Sequence, residues 1–174
     1  ARRVLMVAFH FPPLRGSSGI MRTLSFCRHL GSLGWQPIVL SANPRAYRLT
    51  GDDLLADIPA DTIVNRAFAL DSRKHLSIAG RYSLLTALPD AWSTWYLGAI
   101  PNGLSIIRKY RPAAIWSTYP IATAHAISHT LARLTKLPWI ADLRDPMVEP
   151  NHPPNPLERK VRHWVERRAL RNAA

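Results

Sequence analysis

The segment FHFPPLRGSSG, residues 9–19, constrains the fold more than any other part of the chain. An apolar run precedes it and a helical pattern follows it. A strand, a Pro-Pro and glycine loop and then a helix form the opening of nucleotide-binding α/β domains. Gly16 and Gly19 allow a tight turn and the close approach of a ligand, and Ser17 or Ser18 can cap the helix. The free N–H groups of that helix can bind a phosphate or sugar oxygen, although the G-x-x-G spacing also fits a plain structural turn.

Apolar strand patterns alternate with helical patterns along the rest of the chain. The predicted strands are residues 4–9, 37–42, 62–68, 113–118 and 139–143. The predicted helices are residues 20–33, 92–110, 121–136 and 157–171. Between them, residues 71–91 indicate a surface excursion with a short helix. The alternation predicts an α/β fold with a Rossmann-like parallel sheet and helices on both faces.

The loops that follow the strands are the predicted ligand site. In open parallel sheets, ligands bind beyond the carboxyl ends of the strands. This rule selects loops 10–19, 117–120 and 142–149. We therefore expect these three loops to converge on one crevice.

The charge balance points to an anionic partner. The chain carries 23 Lys and Arg residues against 11 Asp and Glu residues, a formal net charge of +12. Such a field attracts nucleic acid, phosphorylated ligands or an acidic membrane surface. The sequence contains no zinc-finger or ribonucleoprotein motif, so nucleic acid is an unlikely partner.

The single cysteine limits the redox chemistry of the chain. Because Cys27 is the only cysteine, the chain can form neither an internal disulfide nor a cysteine metal cluster. Its place on the inner face of the first helix predicts a buried, inert thiol. No apolar run is long enough to span a bilayer. These features together predict a cytoplasmic location.

Three segments form an ordered set along the chain: FHFPPLRGSSGIMRTLSFCRHLGSLGWQPIVLSA, YRPAAIWSTYP and LPWIADLRDPM. Together they resemble the N-terminal domain of family-four, GT-B-type glycosyltransferases over nearly the whole chain. The resemblance implies a retaining transferase of polysaccharide biosynthesis, which moves a sugar from a nucleotide-sugar donor to a glycan or lipid-linked acceptor. It also implies that the N-terminal domain mostly holds the acceptor, that a C-terminal domain holds most of the donor, and that no cofactor or metal is needed.

The chain departs from the family pattern in two ways. Many relatives carry a histidine after the fourth strand, where this chain has Thr118 before Tyr119-Pro120, so no histidine role is carried over. The paired-glutamate donor signature is also missing. We expect residues 1–174 to be the N-terminal, Rossmann-like, acceptor-side domain of a longer enzyme, without its C-terminal donor-binding domain. The alternatives are a GT-B sugar-nucleotide epimerase and a non-catalytic binding or regulatory domain.

The candidate acceptor- or diphosphate-binding residues lie in or beside the three loops. They are His10, Gly16, Ser17, Ser18, Gly19, Arg22, Thr118, Tyr119, Asp142, Arg144 and Asp145. Carboxylates there can accept hydrogen bonds from sugar hydroxyls, and arginine can bind phosphate through two parallel hydrogen bonds. Arg22 fits a solvated surface position equally well, and an internal Arg–Asp pair could instead close the last loop. His10 fits a neutral hydrogen-bonding role better than a general base, and no catalytic residue is assigned.

His125 and His129 lie one helical turn apart, which is a spacing that metal sites use. A third ligand is missing from the pattern, so we expect no metal site.

The basic segment 157–171 has two interpretations. Its apolar residues are predicted to fall roughly together, namely Leu157, Val161, Trp164 and Val165, while Arg159, Lys160, Arg162, Arg167 and Arg171 crowd elsewhere. One interpretation is contact with an anionic membrane, which would place the protein at the inner face of the cell membrane. The favoured interpretation is a helix packed on the sheet with a solvated basic face.

Overall fold

Five parallel strands form the centre of the fold in the structure, a computed structural model that describes residues 2–77, 79 and 81–174. The strands are β1 (Arg2–Val7), β2 (Trp35–Ala42), β3 (Ile63–Ala67), β4 (Ala114–Thr118) and β5 (Trp139–Asp142). Their order in the sheet is β3-β2-β1-β4-β5, and every neighbouring pair is parallel. From β1 the chain adds β2 and then β3 on one side of the sheet. It then crosses back and places β4 and β5 on the other side of β1. This reversal between β1 and β4 is where open α/β sheets bind ligands.

The helices connect the strands and cover the sheet. They are α1 (Ser18–Ser32), α2 (Ser72–His75), α3 (Trp95–Tyr110), α4 (Ala122–Thr135) and α5 (Pro156–Asn172), with 3-10 turns at Pro44–Ala46 and Leu84–Ala87. Parallel crossovers are right-handed, so the reversal after β3 puts α1 on one face and α3 and α4 on the other. Contacts agree with this arrangement, because α1 packs on β2 while α3 and α4 pack on each other. The predicted fold class is confirmed.

The core surrounds β1. Leu5, Met6 and Val7 are completely buried. A strand covered on both faces has no solvent side, so its sequence is continuously apolar and does not alternate. Cys27 is also completely buried, on the inner side of α1 as predicted, and lies 3.9 Å from the Met6 sulfur.

Several element boundaries differ from the predicted ones. β1 ends at Val7, two residues early, because the chain leaves the sheet to build the following loop. α3 begins at Trp95 and not at residue 92. The carboxylate of Asp90 accepts the Trp92 N–H at 3.1 Å, so the residues before α3 form turns. Pro101 lies inside α3, and Gly34 follows α1 in the left-handed region at φ 78°.

The surface excursion predicted at residues 71–91 contains the short helix α2 and the 3-10 turn Leu84–Ala87. Ile78 and Gly80, which belong to the same predicted excursion, lie outside the described residues. Within the described part of the chain, no helix has the length and apolar character needed to cross a membrane.

Candidate functional site

The loop after β1 is held against the start of α1 by a small hydrogen-bonded unit. Ser17 caps α1, and its Oγ accepts the Gly19 N–H at 3.2 Å. The same Oγ lies 2.8 Å from His10 Nδ1. A Cβ at Gly19 would lie 2.6 Å from that nitrogen, which is closer than side chains tolerate. Glycine is therefore needed at position 19 because the His10 ring packs directly on the helix backbone.

Gly16 serves the same loop for a different reason. It adopts φ 76°, a left-handed conformation that other residues rarely take, while a Cβ there would meet nothing within 4 Å. Gly16 therefore meets the backbone requirement of the turn. The space beside it is open, so the backbone there is also accessible to a ligand.

His10 is neutral at physiological pH. Burial, and then the nearby charge of Arg144, lower the pKa of His10 to about 4. Because Ser17 Oγ accepts the Gly19 N–H, its own proton is available to His10 Nδ1, and we assign the ring proton to Nε2. A neutral ring can hydrogen-bond a hydroxyl, as it does here with Ser17.

Arg22 on α1 and Asp142 at the end of β5 form a bidentate ion pair. Arg22 Nε donates to Asp142 Oδ2 at 2.7 Å, and Nη2 donates to Oδ1 at 3.0 Å. Thr118 Oγ1, at the end of β4, lies 2.9 Å from Asp142 Oδ2 and donates to it. Arg22 thus lies at the surface but is paired, and Asp142 pairs with this residue of α1 and not with an arginine of its own loop.

The charge of Asp142 follows from these contacts. Burial raises the pKa of Asp142, but the hydrogen bonds from Arg22 and Thr118 and the charges of Arg22 and Arg144 outweigh it, so the pKa falls below its ordinary value. The hydrogen bond that Arg22 donates to Asp142 raises the pKa of Arg22. Asp142 is therefore a carboxylate at neutral pH that ties α1, β4 and β5 together.

Arg144 and Asp145 extend from the end of β5 into solvent. Both are exposed, and Arg144 adopts φ 60°, a conformation uncommon for a residue with a side chain. The charge of Arg144 acts on both His10 and Asp142, so the first and third loops meet at the same end of the sheet. Arg144 is therefore an exposed cation at this edge.

Two other predicted residues have different surroundings. Ser18 is exposed in the first turn of α1. Tyr119 is buried, with its ring stacked on His125 at a centroid distance of 6.5 Å, and its hydroxyl lies 3.5 Å from Arg162 Nη1 on α5. Tyr119 therefore packs toward the helices, and the middle loop contributes Thr118 to the Asp142 cluster.

A cavity of about 440 Å³ opens beside the β1 loop. Its lining includes His10, Gly16 and Ser17 together with residues that the sequence analysis did not select: Phe9, Leu14, Arg15, Tyr47, Arg48, Leu49 and Trp92. Tyr47 and Arg48 come from the long loop after β2, and Trp92 comes from the turns before α3. No local pattern marks the four residues from other loops, Tyr47, Arg48, Leu49 and Trp92, because only the fold brings those loops to the first one. We call this cavity the β1 crevice.

Asp90 is a second residue that the sequence did not reveal. It is buried, and its Oδ2 accepts the Thr123 N–H at 2.8 Å while both carboxylate oxygens lie 2.9 Å from Thr123 Oγ1. It thereby caps α4 from a distant loop. Burial raises the pKa of Asp90 above its ordinary value, although the bonds from Thr123 and Trp92 and the charge of Arg162 oppose this. Its role is structural.

The two helical histidines are internal. His125 Nδ1 lies 2.8 Å from Ser117 Oγ, which also accepts the Trp139 indole N–H at 2.8 Å. Burial lowers the pKa of both His125, to about 4, and His129. No group of three potential metal ligands occurs among the described residues.

The apolar face predicted for α5 needs correction. Of its four members only Val165 is buried, whereas Trp164 is half exposed and carries Arg168 over its ring at 5.0 Å. Arg162 faces inward, pairing with Glu158 at 2.7 Å. The helix packs mainly on α4 and less on β5, whereas the favoured interpretation placed it on the sheet. Its outer face is basic. The sequence pattern failed because α5 is so rich in charge that its buried stripe is narrow.

Comparisons with known proteins fit this architecture. Residues 19–174 match the family model described as the glycosyl transferase 4-like domain. No curated protein matches the chain significantly in sequence.

Three solved structures share the fold. A sucrose-phosphate synthase from Thermosynechococcus elongatus aligns with 99% of this chain at TM-score 0.65 and 13% identity, over 41% of its own length. Phytolacca americana UGT2, complexed with UDP-2-fluoro-glucose and pterostilbene, aligns with 81% of this chain at TM-score 0.55 and 16% identity, over 29% of its own length. The SsfS6 glycosyltransferase of Streptomyces sp. SF2575 aligns with 81% at TM-score 0.55 and 14% identity, over 39% of its own length. The chain therefore spans less than half of each of these proteins, and it has the fold of one half of a GT-B glycosyltransferase.

Proposed function

The chain belongs to the glycosyl transferase 4-like domain family, and from this membership we propose that it works as the acceptor-side domain of a retaining glycosyltransferase. The complete enzyme would move a sugar from a nucleotide-sugar to a glycan or lipid-linked acceptor. The observation that carries the proposal is the β1 crevice, which combines an apolar wall with the neutral His10 at the carboxyl end of the central strand. Concave sites of this kind bind small ligands.

We assign roles by exposure and charge. Neutral His10 hydrogen-bonds an acceptor hydroxyl, and the open backbone at Gly16 lets the acceptor approach closely. Exposed Arg144 offers a cation to the departing diphosphate, so a protein group would supply the charge that a metal supplies in other transferases. Asp145 offers an exposed carboxylate to sugar hydroxyls. Asp142 is already hydrogen-bonded to Arg22 and Thr118. It therefore positions these two side chains and does not bind substrate.

The donor side belongs to a second domain in this proposal. The chain spans about two fifths of the sucrose-phosphate synthase that it resembles, and GT-B catalysis holds donor and acceptor between two halves. We therefore expect the 174-residue chain alone to show no sugar transfer and only weak binding of nucleoside diphosphates.

Calorimetry with common nucleoside diphosphates and a transfer assay test this expectation. Turnover, or micromolar nucleotide affinity, by the isolated chain would place the donor site in this half. With the complete enzyme, product whose anomeric configuration matches that of the donor supports a retaining transferase. Isomerisation of the nucleotide-sugar without an acceptor would indicate an epimerase, and no turnover of any donor would indicate a binding or regulatory domain.

We also propose that the outer face of α5 contacts anionic lipid at the inner face of the cell membrane. A depression of about 680 Å³ on this helix is lined by Lys160, His163, Trp164, Arg167, Arg168, Arg171 and Asn172. Each basic residue near an anionic surface contributes roughly 1 kcal/mol to binding. An exposed tryptophan among them adds an interfacial anchor.

Sedimentation with anionic and neutral vesicles measures this contact. We expect binding to anionic vesicles only, weakened by salt and by the double substitution Arg167→Gln and Arg171→Gln. The matched control is Arg108→Gln with Lys109→Gln on α3, which removes the same charge. Equal loss in both variants, or equal binding to both lipids, would exclude a specific role for α5.

A further inference from the structure

The β1 crevice adjoins a second, basic depression. Arg48 lines both the crevice and an open depression of about 350 Å³ whose other walls are Asp71, Arg73 and Lys74. The two spaces therefore share one side chain as a common wall. A ligand that fills the crevice can extend past Arg48 into the basic depression.

The charges of this depression are unbalanced. Arg48 Nε lies 3.2 Å from Asp71 Oδ2, and the Asp71 carboxylate is almost completely buried. Asp71 Oδ1 also accepts the Arg73 N–H at 2.9 Å, so both oxygens are engaged. The side chains of Arg73 and Lys74 form no salt bridge with any carboxylate of residues 2–77, 79 and 81–174. Two cationic charges thus remain exposed beside the crevice.

One wall of the β1 crevice is aromatic, formed by Phe9, Tyr47 and Trp92, while Arg15 and Arg48 add charged side chains. The Trp92 indole N–H donates to the Ala46 carbonyl at 3.0 Å, and its ring lies 4.8 Å from that of Phe9. The Tyr47 hydroxyl is occupied by Ser41 at 2.9 Å, so this side chain offers the crevice mainly its ring. His10 adds no charge, because its pKa is about 4. A neutral ring-shaped group suits this wall better than a charged one.

From this juxtaposition we infer that the acceptor carries a phosphate group. Its ring occupies the β1 crevice against Trp92, and its phosphate lies in the depression between Arg48, Arg73 and Lys74. Arginine and lysine side chains bind phosphate oxygens through charge-assisted hydrogen bonds. The inference rests on the proposed acceptor-side role and narrows it to phosphorylated acceptors. The phosphate belongs to a soluble sugar phosphate or to a lipid headgroup, which present the same chemistry.

Binding to the 174-residue chain tests the inference without any transfer reaction. The probes are inorganic phosphate, glucose 6-phosphate, glucose and a short-chain phosphatidylinositol below its micelle concentration. Two-dimensional NMR locates each probe through the Trp92 indole resonance and the backbone resonances of Arg73 and Lys74. The test variant is Arg73→Gln with Lys74→Gln. The control is Arg108→Gln with Lys109→Gln, which changes the net charge equally at the far end of α3.

We expect a phosphorylated probe to bind more tightly than glucose and to shift both sets of resonances. The test variant should lose affinity on the order of tenfold, whereas the control should lose little. Preference for glucose 6-phosphate identifies a soluble acceptor, and preference for the phosphatidylinositol identifies a lipid acceptor. Equal binding of glucose, no binding of any phosphorylated probe, or equal losses in the two variants would overturn the inference. If the complete enzyme then transferred sugar to a neutral acceptor, the proposed transferase function would stand and only the phosphorylated acceptor would be wrong. If the chain bound phosphate but the complete enzyme transferred no sugar, the transferase function would be wrong and the phosphate site would stand.

Discussion

Replacing Gly19 with alanine tests the packing that builds the β1 crevice. The new Cβ would lie 2.6 Å from His10 Nδ1, against an ordinary separation of ~3.5 Å, so the ring must move. Overpacking costs about 1–3 kcal/mol. The lost bond between His10 and Ser17 costs about 1 kcal/mol, and the better helix propensity of alanine returns up to about 1 kcal/mol. The net loss in the free energy of unfolding is therefore about 1–3 kcal/mol.

Urea denaturation measures this loss, and thermal melting should show a decrease of roughly 2–12 °C. NMR titration supplies a second readout, because displacement of His10 from its buried place should raise its pKa from about 4 toward 6.5. Gly31→Ala in the same helix is the control. Its Cβ meets only the flexible Asp61 carboxylate, at 3.3 Å, so stability should be unchanged or higher. Wild-type stability and an unchanged His10 pKa in the Gly19 variant would refute the packing argument.

Three further predictions concern single residues. Asp142→Asn should lower the free energy of unfolding by about 1 kcal/mol at pH 7, since Arg22 is partly exposed. The pKa of Asp142 is depressed in the fold, so this stabilisation is present above the unfolded value of 3.8 and is lost as pH falls through the folded pKa. Urea unfolding of both proteins should therefore converge at low pH, and a constant difference would contradict the ion pair. Asp90→Ala should cost about 1–3 kcal/mol, because the Thr123 N–H and hydroxyl lose their buried acceptor, and an unchanged midpoint in urea would exclude this cap. Burial raises the pKa of the Cys27 thiol to about 12, so iodoacetamide should modify it at pH 8 only after denaturation, and rapid labelling of the native chain would refute its burial.

The candidate site was predictable where its chemistry is local. The Ser17 cap and the left-handed Gly16 follow from the composition of one loop, and both are present. Asp142 and Arg22 were selected as candidates, but their pairing joins positions 120 residues apart and no local pattern encodes it. Trp92 was missed for the same reason, because it reaches the crevice only through the packing of its turn against the β1 loop.

The sequence by itself determined the α/β class, the order of strands and helices along the chain and the end of the sheet at which the candidate residues lie. It could do so because hydrophobic periodicity, caps and glycine turns act over a few neighbouring residues, and because the handedness of parallel crossovers is general. Only the tertiary structure decided which charged side chains form salt bridges and which extend into solvent. Arg22 pairs with Asp142 whereas Arg144 extends into solvent, although the sequence offers both arginines as anion-binding candidates. The partners of a charged side chain lie on distant strands and loops, and folding alone brings them within bonding distance.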